Sequence, residues 1–98
     1  MAEELTRAEV DALPGTTLLE FGAAWCPICQ AARPLIEDFV RSAAGLRHVR
    51  IEDGKGKPLG RSFRVKLWPT LIVMRDGREL GRAVRPSNAS DLRDLLRS

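Results

Sequence analysis

Two rhythms of apolar and polar positions divide the chain. Thr6-Arg7-Ala8-Glu9 has the residues of a capping box, and Val10 and Leu13 then begin an apolar face. This predicts a short helix over 6–13, stopped by Pro14-Gly15. Thr16-Thr17-Leu18-Leu19-Glu20-Phe21 is β-prone and almost continuously apolar, the pattern of a strand covered on both faces. Gly22-Ala23-Ala24 loosens the chain. From Cys29 onward Leu35, Ile36, Phe39, Val40 and Ala43 recur at the spacing of one helix face, with Gly45 as a natural stop. Pro34 lies inside that pattern and is expected to kink the helix.

Leu46 to Ile51 reads as a second strand, with Leu46, His48 and Arg50 on one side and Val49 and Ile51 on the other. Segment 53–67 is basic and loop-like, with room for a short helix around 57–64. Thr70-Leu71-Ile72-Val73-Met74 is the strongest strand signal, and Asp76-Gly77 marks a tight hairpin into a more polar strand over 78–84. Ser87 or Asn88 is placed to cap a last helix bearing Leu92, Leu95 and Leu96 on one face. The order α-β-α-β-α-β-β-α predicts an α/β fold, a mixed sheet of about four strands covered by helices on both faces.

Ninety-eight residues suit one domain, 1–98, able to bury roughly two-thirds of the surface that its unfolded chain exposes. With 44% hydrophobic and 30% charged residues the composition is globular, and no apolar run reaches the ~20 residues of a membrane helix. The polar, acidic start Met1-Ala-Glu-Glu lacks the basic and apolar parts of a secretory signal, so a cytoplasmic location is expected, with no membrane association. The net charge of +3 comes mainly from arginines scattered through every segment, with few aromatics among them. This fits a solvated surface and no nucleic-acid partner.

Two cysteines are too few for a disulfide framework, and Cys26 and Cys29 stand two residues apart, between a predicted strand and a predicted helix. A sulfur at a helix N-terminus is stabilised as thiolate by unpaired N–H groups and the positive end of the helix dipole, which makes it a nucleophile near neutral pH. Cys26 takes that position, and Cys29 follows one turn into the helix, in reach of a mixed disulfide on Cys26. The spacing suits dithiol–disulfide exchange. The competing reading is metal: with His48 the chain offers three of the four ligands of a structural zinc site, and a second chain or carboxylates would have to complete it.

These residues resemble the thioredoxin family from about residue 16 to the C-terminus. Glu20, six positions before Cys26, falls where that family keeps a buried acid. Trp25 precedes the first cysteine, Pro34 follows the second by five, and Trp68-Pro69-Thr70 and Asp76-Gly77 fall at the family's cis-proline segment and hairpin. The resemblance implies a thiol–disulfide oxidoreductase in which Cys26 attacks and Cys29 resolves. It also implies that the Trp68–Pro69 bond is cis, with the backbone at Trp68 pairing with an extended substrate. A buried carboxyl has its pKa raised by desolvation, and Glu20 is expected to take the Cys29 proton. Trp25 and Trp68 are expected to stand exposed beside the cysteines, and Trp25, Pro27, Ile28, Trp68, Pro69 and Thr70 to form the docking groove. His48 is left structural. No cofactor is expected, the partners are protein disulfides with a thioredoxin reductase or glutathione as donor, and the chain is expected to be a monomer.

The chain also departs from the family. Pro27-Ile28 replaces Gly-Pro between the cysteines, as in proline-first glutaredoxins and periplasmic oxidases, and implies a less reducing pair. The family's first strand is missing or very short, Gly22 stands where a Trp is usual, and Arg85-Pro86 replaces a glycine before the last helix. A glutathione-linked reaction, or a binding module that uses the CxxC for metal, is the alternative.

Overall fold

The structure, a computed structural model, describes residues 5–96; Met1 to Glu4 of the polar N-terminal stretch lie outside them. Its elements run α1 (Arg7–Asp11), β1 (Thr16–Gly22), α2 (Pro27–Ser42), β2 (Arg47–Glu52), α3 (Pro58–Ser62), β3 (Thr70–Arg75), β4 (Arg78–Val84) and α4 (Ala89–Arg93), closed by a 3-10 turn, Asp94–Leu96. The order matches the expected one, and the short helices end earlier than their patterns suggested. The capping box is formed: Thr6 Oγ1 accepts from the Glu9 N–H and Glu9 Oε1 accepts from the Thr6 N–H. Asn88 rather than Ser87 caps α4, its carbonyl accepting from the Asp91 N–H. Helix α2 runs on through Pro34.

The strands form one sheet in the order β2-β1-β3-β4. β1 pairs parallel with β2 and antiparallel with β3, and β3 antiparallel with β4. Among the described residues no strand precedes β1, where a missing or very short first strand was expected. The central strands β1 and β3 carry apolar side chains on both faces. Leu18, Leu71 and Val73 pack with Ala32, Ile36 and Phe39 of α2 and with Leu92 and Leu95. Leu19, Phe21, Ile72 and Met74 pack on the other side with Val10 of α1 and with Leu59 and Phe63 around α3. The alternation of strand side chains therefore supplies two cores at once.

The β3–β4 turn uses the expected dipeptide. Asp76 (φ 48°) and Gly77 (φ 84°) both adopt left-handed backbone, as a two-residue hairpin requires. The Asp76 carboxylate accepts from the Gly15 N–H, tying the turn to the entrance of β1. No helix among the described residues is long and apolar enough to cross a membrane.

Candidate active site

The site lies where β1 ends and α2 begins. Cys26 is the N-cap of α2 in extended backbone, and Pro27 follows at the first helical position, where its missing N–H costs nothing. Cys26 Sγ accepts from the Cys29 N–H at 3.3 Å and so takes the capping place usually filled by a Ser, Thr or Asp oxygen. Both thiols are free and buried. The loop before them is tied at Ala24, whose N–H donates to the Glu52 carboxylate and whose carbonyl accepts from Gln30 Nε2.

Burial pushes the Cys26 thiol up, but hydrogen bonds from the Cys29 thiol and from the Cys29 and Ile28 N–H groups, with the charge of Arg85, bring it below its usual value. Cys29 moves the other way, to about 11, chiefly through burial and then through its hydrogen bond to the Cys26 sulfur and the charges of Cys26 and Glu20. The first sulfur is the more acidic of the two, and its neighbour is held as thiol.

Beneath them, Leu18, Glu20 and Gly22 share the α2-facing side of β1. A Cβ added at Gly22 would lie 3.0 Å from Cys29 Sγ, so the resolving sulfur fills the space that a side chain at 22 would need. Glu20 is 5% exposed, as expected of a buried acid, but its acidity is the reverse of that expected. Desolvation alone raises its pKa. His48 Nε2 stands 2.7 Å from Glu20 Oε1 and Arg50 Nε 3.4 Å away, and together they hold the carboxyl below its ordinary value. Both partners come from β2, where Leu18 lies opposite His48 and Glu20 opposite Arg50. Arg50 also reaches Glu37 of α2. His48, left structural by the sequence reading, thus belongs to the site. Its place on the same strand face as Arg50 was a legible signal once the pairing with Glu20 was known.

Trp25 is exposed (70%), as expected, and its ring meets that of Trp68 edge-on at 5.6 Å. Trp68 is half-buried rather than exposed: it packs on Ala23, Cys26 and Cys29, and its indole N–H donates to Asp53 Oδ2 at 2.9 Å. Asp53, missed at the sequence level, is itself buried, and its N–H donates to the Gly22 carbonyl. The Trp68–Pro69 bond is cis. Pro27 and Ile28 are exposed beside Cys26, and Pro69 is buried. Thr70 is a correction: it is 1% exposed and its hydroxyl donates to the Leu67 carbonyl, so it braces the 67–69 turn from within and offers no docking surface. Among the described residues no three His, Cys, Asp or Glu side chains gather into a metal-holding set.

A thioredoxin fold that presents a CxxC pair at the start of the helix after its β1 defines a protein-disulfide oxidoreductase. The family model for thioredoxin matches residues 2–98, and the chain belongs to the thioredoxin family. Among solved structures it is similar to thioredoxin 2 from Pseudomonas aeruginosa PAO1 in its reduced form, with 51% identity and a TM-score of 0.83 over 96% of this chain and 87% of that one. A mutant thioredoxin from Halobacterium salinarum NRC-1 superposes with a TM-score of 0.76 at 25% identity, over 91% of this chain and 80% of that one. The thioredoxin of Chlamydia pneumoniae is 35% identical over 86 residues, covering 84% of this chain and 80% of the relative.

Proposed function

We propose that the chain exchanges its Cys26–Cys29 dithiol with protein disulfides through a mixed-disulfide intermediate. The observation that carries this reading is the capping contact, in which Cys26 Sγ accepts the Cys29 N–H and the two thiols are driven apart in acidity. The Cys26 thiolate attacks one substrate sulfur, the substrate S–S bond breaks as the new one forms, and the departing thiolate takes a proton from water. Cys29 then gives up its proton and attacks Cys26 Sγ. The Cys26–Cys29 bond forms, the second substrate sulfur leaves as thiolate and takes up a proton, and two electrons have passed from the dithiol to the substrate.

Removing the proton from Cys29 is the step that needs help. Glu20 lies under α2 on the strand face that reaches Cys29, but a carboxyl held below its ordinary pKa is by itself a weak base. His48, bonded to Glu20 and 19% exposed, joins it to solvent. Proton removal falls to Glu20, the buried acid nearest the resolving sulfur on this strand face. Trp25, Pro27 and Ile28 with the half-buried Trp68 form the face on which the substrate lies, and the buried Pro69 shapes it from behind. The chain works in the cytoplasm, where dithiols are kept reduced, and is re-reduced by a thioredoxin reductase or by glutathione.

The test is a Cys29→Ser chain incubated with insulin or a protein disulfide. A Cys26-linked mixed disulfide is expected to accumulate, resolved on non-reducing gels; its absence, with wild-type turnover intact, overturns the mechanism. Turnover with each donor separates reductase-linked from glutathione-linked use.

A further inference from the structure

Arg85 occupies an unusual place. It follows the last residue of β4, and its φ of 53° lies in the left-handed region that disfavours any residue with a Cβ. Such outliers persist where the surroundings hold them and gather at functional sites. Here the hold is specific. The Arg85 N–H donates to the Pro69 carbonyl at 2.9 Å, and Arg85 Nε donates to the Trp68 carbonyl at 2.8 Å. Backbone and side chain thus grip the segment that faces the cysteines, and the grip fixes the plane of the guanidinium. Its two terminal nitrogens are not used by these bonds, and no carboxylate among the described residues forms an ion pair with it. Arg7, Arg50 and Arg82, by contrast, are engaged by Asp11, by Glu20 and Glu37, and by Glu79. Trp68, whose carbonyl Arg85 holds, packs on Cys26, and the Arg85 charge acts on that sulfur. Val84, next to Arg85 in the chain, and Leu67, next to Trp68, are exposed apolar residues.

A guanidinium fork held on the segment that packs on the nucleophile matches a carboxylate in shape and charge. We propose that Arg85 is a substrate-binding residue that selects disulfides with an Asp or Glu carboxylate next to the attacked cysteine. This rests on the exchange reaction proposed above and names its substrate class.

The test uses two synthetic disulfide peptides that differ only in Glu or Gln beside the attacked cysteine, reduced by the chain with dithiothreitol as the final donor. The readout is the ratio of kcat/KM for the two peptides, in which any change in Cys26 reactivity cancels. For the wild-type chain the ratio is expected to favour Glu by roughly tenfold at low salt, the size of one charge-assisted contact, and to shrink as salt is added. Arg85→Gly suits the observed φ and so folds; it is expected to bring the ratio to about one. Arg85→Glu is expected to invert it, and Arg85→Lys to keep part of it. A wild-type ratio near one, or a Glu preference that survives in Arg85→Gly, overturns the proposal. If neither peptide is reduced in a Cys26-dependent way, the exchange reaction itself fails, and this inference with it.

Discussion

Glu20 shows how one residue's chemistry is set by its neighbours. An acid in an apolar strand is expected to be reluctant to ionise, and burial does act in that direction, yet the hydrogen bond from His48 and the charge of Arg50 on the adjacent strand reverse the outcome. The same competition separates the two thiols, because the capping N–H groups reach Cys26 while Cys29, in the first turn of α2, is buried against β1. In the reduced chain two thiolate steps are expected in ultraviolet absorbance against pH. One lies below the ordinary thiol range and coincides with the rise in alkylation of Cys26; the other lies near 11 and is lost in Cys29→Ser. A single step shared by both thiols would contradict the asymmetry of the site.

At the scale of elements, the turns and caps that hold the sheet were the most legible part of the sequence. Thr6-Arg7-Ala8-Glu9, Asn88 and Asp76-Gly77 act through neighbours a few residues away, and each forms as its residue types require. Gly77 adds something that the dipeptide alone does not reveal. A Cβ there would come within 2.5 Å of the Asp11 carbonyl oxygen, so the turn packs against the end of α1. Gly77→Ala combines an unfavourable φ with that collision and is expected to destabilise the fold by about 2 kcal/mol or more, read as a fall in the urea midpoint. A midpoint unchanged from wild type would mean that the hairpin and α1 separate freely. Thr70 was misjudged for the opposite reason. The resemblance implied a docking role for its segment, but strand alternation and the Leu67 carbonyl turn its side chain inward.

For the molecule as a whole, the buried Glu20 and its partly exposed partners between β1, β2 and α2 link stability to pH. Because the Glu20 pKa is lowered on folding, its contribution is fully present above the ordinary carboxylate range and is lost as pH falls through the folded-state value. His48→Leu leaves the carboxylate with Arg50 alone. It is expected to cost about 1–3 kcal/mol at pH 7, with the deficit shrinking in acid once Glu20 is protonated in both chains. Chemical denaturation at pH 7 and below pH 4 reads both effects, and an equal deficit at the two pH values would detach His48 from Glu20. Resolution of a mixed disulfide is also expected to slow in this variant.

The sequence by itself determined the order of elements, the faces of the central strands, the cysteine pair at the start of a helix and the resemblance that led to the family. These depend on periodicity and on residues close along the chain. Only the tertiary structure decided that Glu20 is held acidic, that His48 bonds to it, that Asp53 anchors Trp68 and that one of many scattered arginines holds the Trp68–Pro69 segment. The reason is physical. Charge balance and hydrogen-bond satisfaction depend on distance in space, and His48 lies 28 residues from Glu20, Arg85 17 from Trp68 and Asp53 15 from Trp68 along the chain. No local pattern records that such residues meet, so the arginine excess had no meaning until strand pairing and the end of β4 put Arg50 and Arg85 in place.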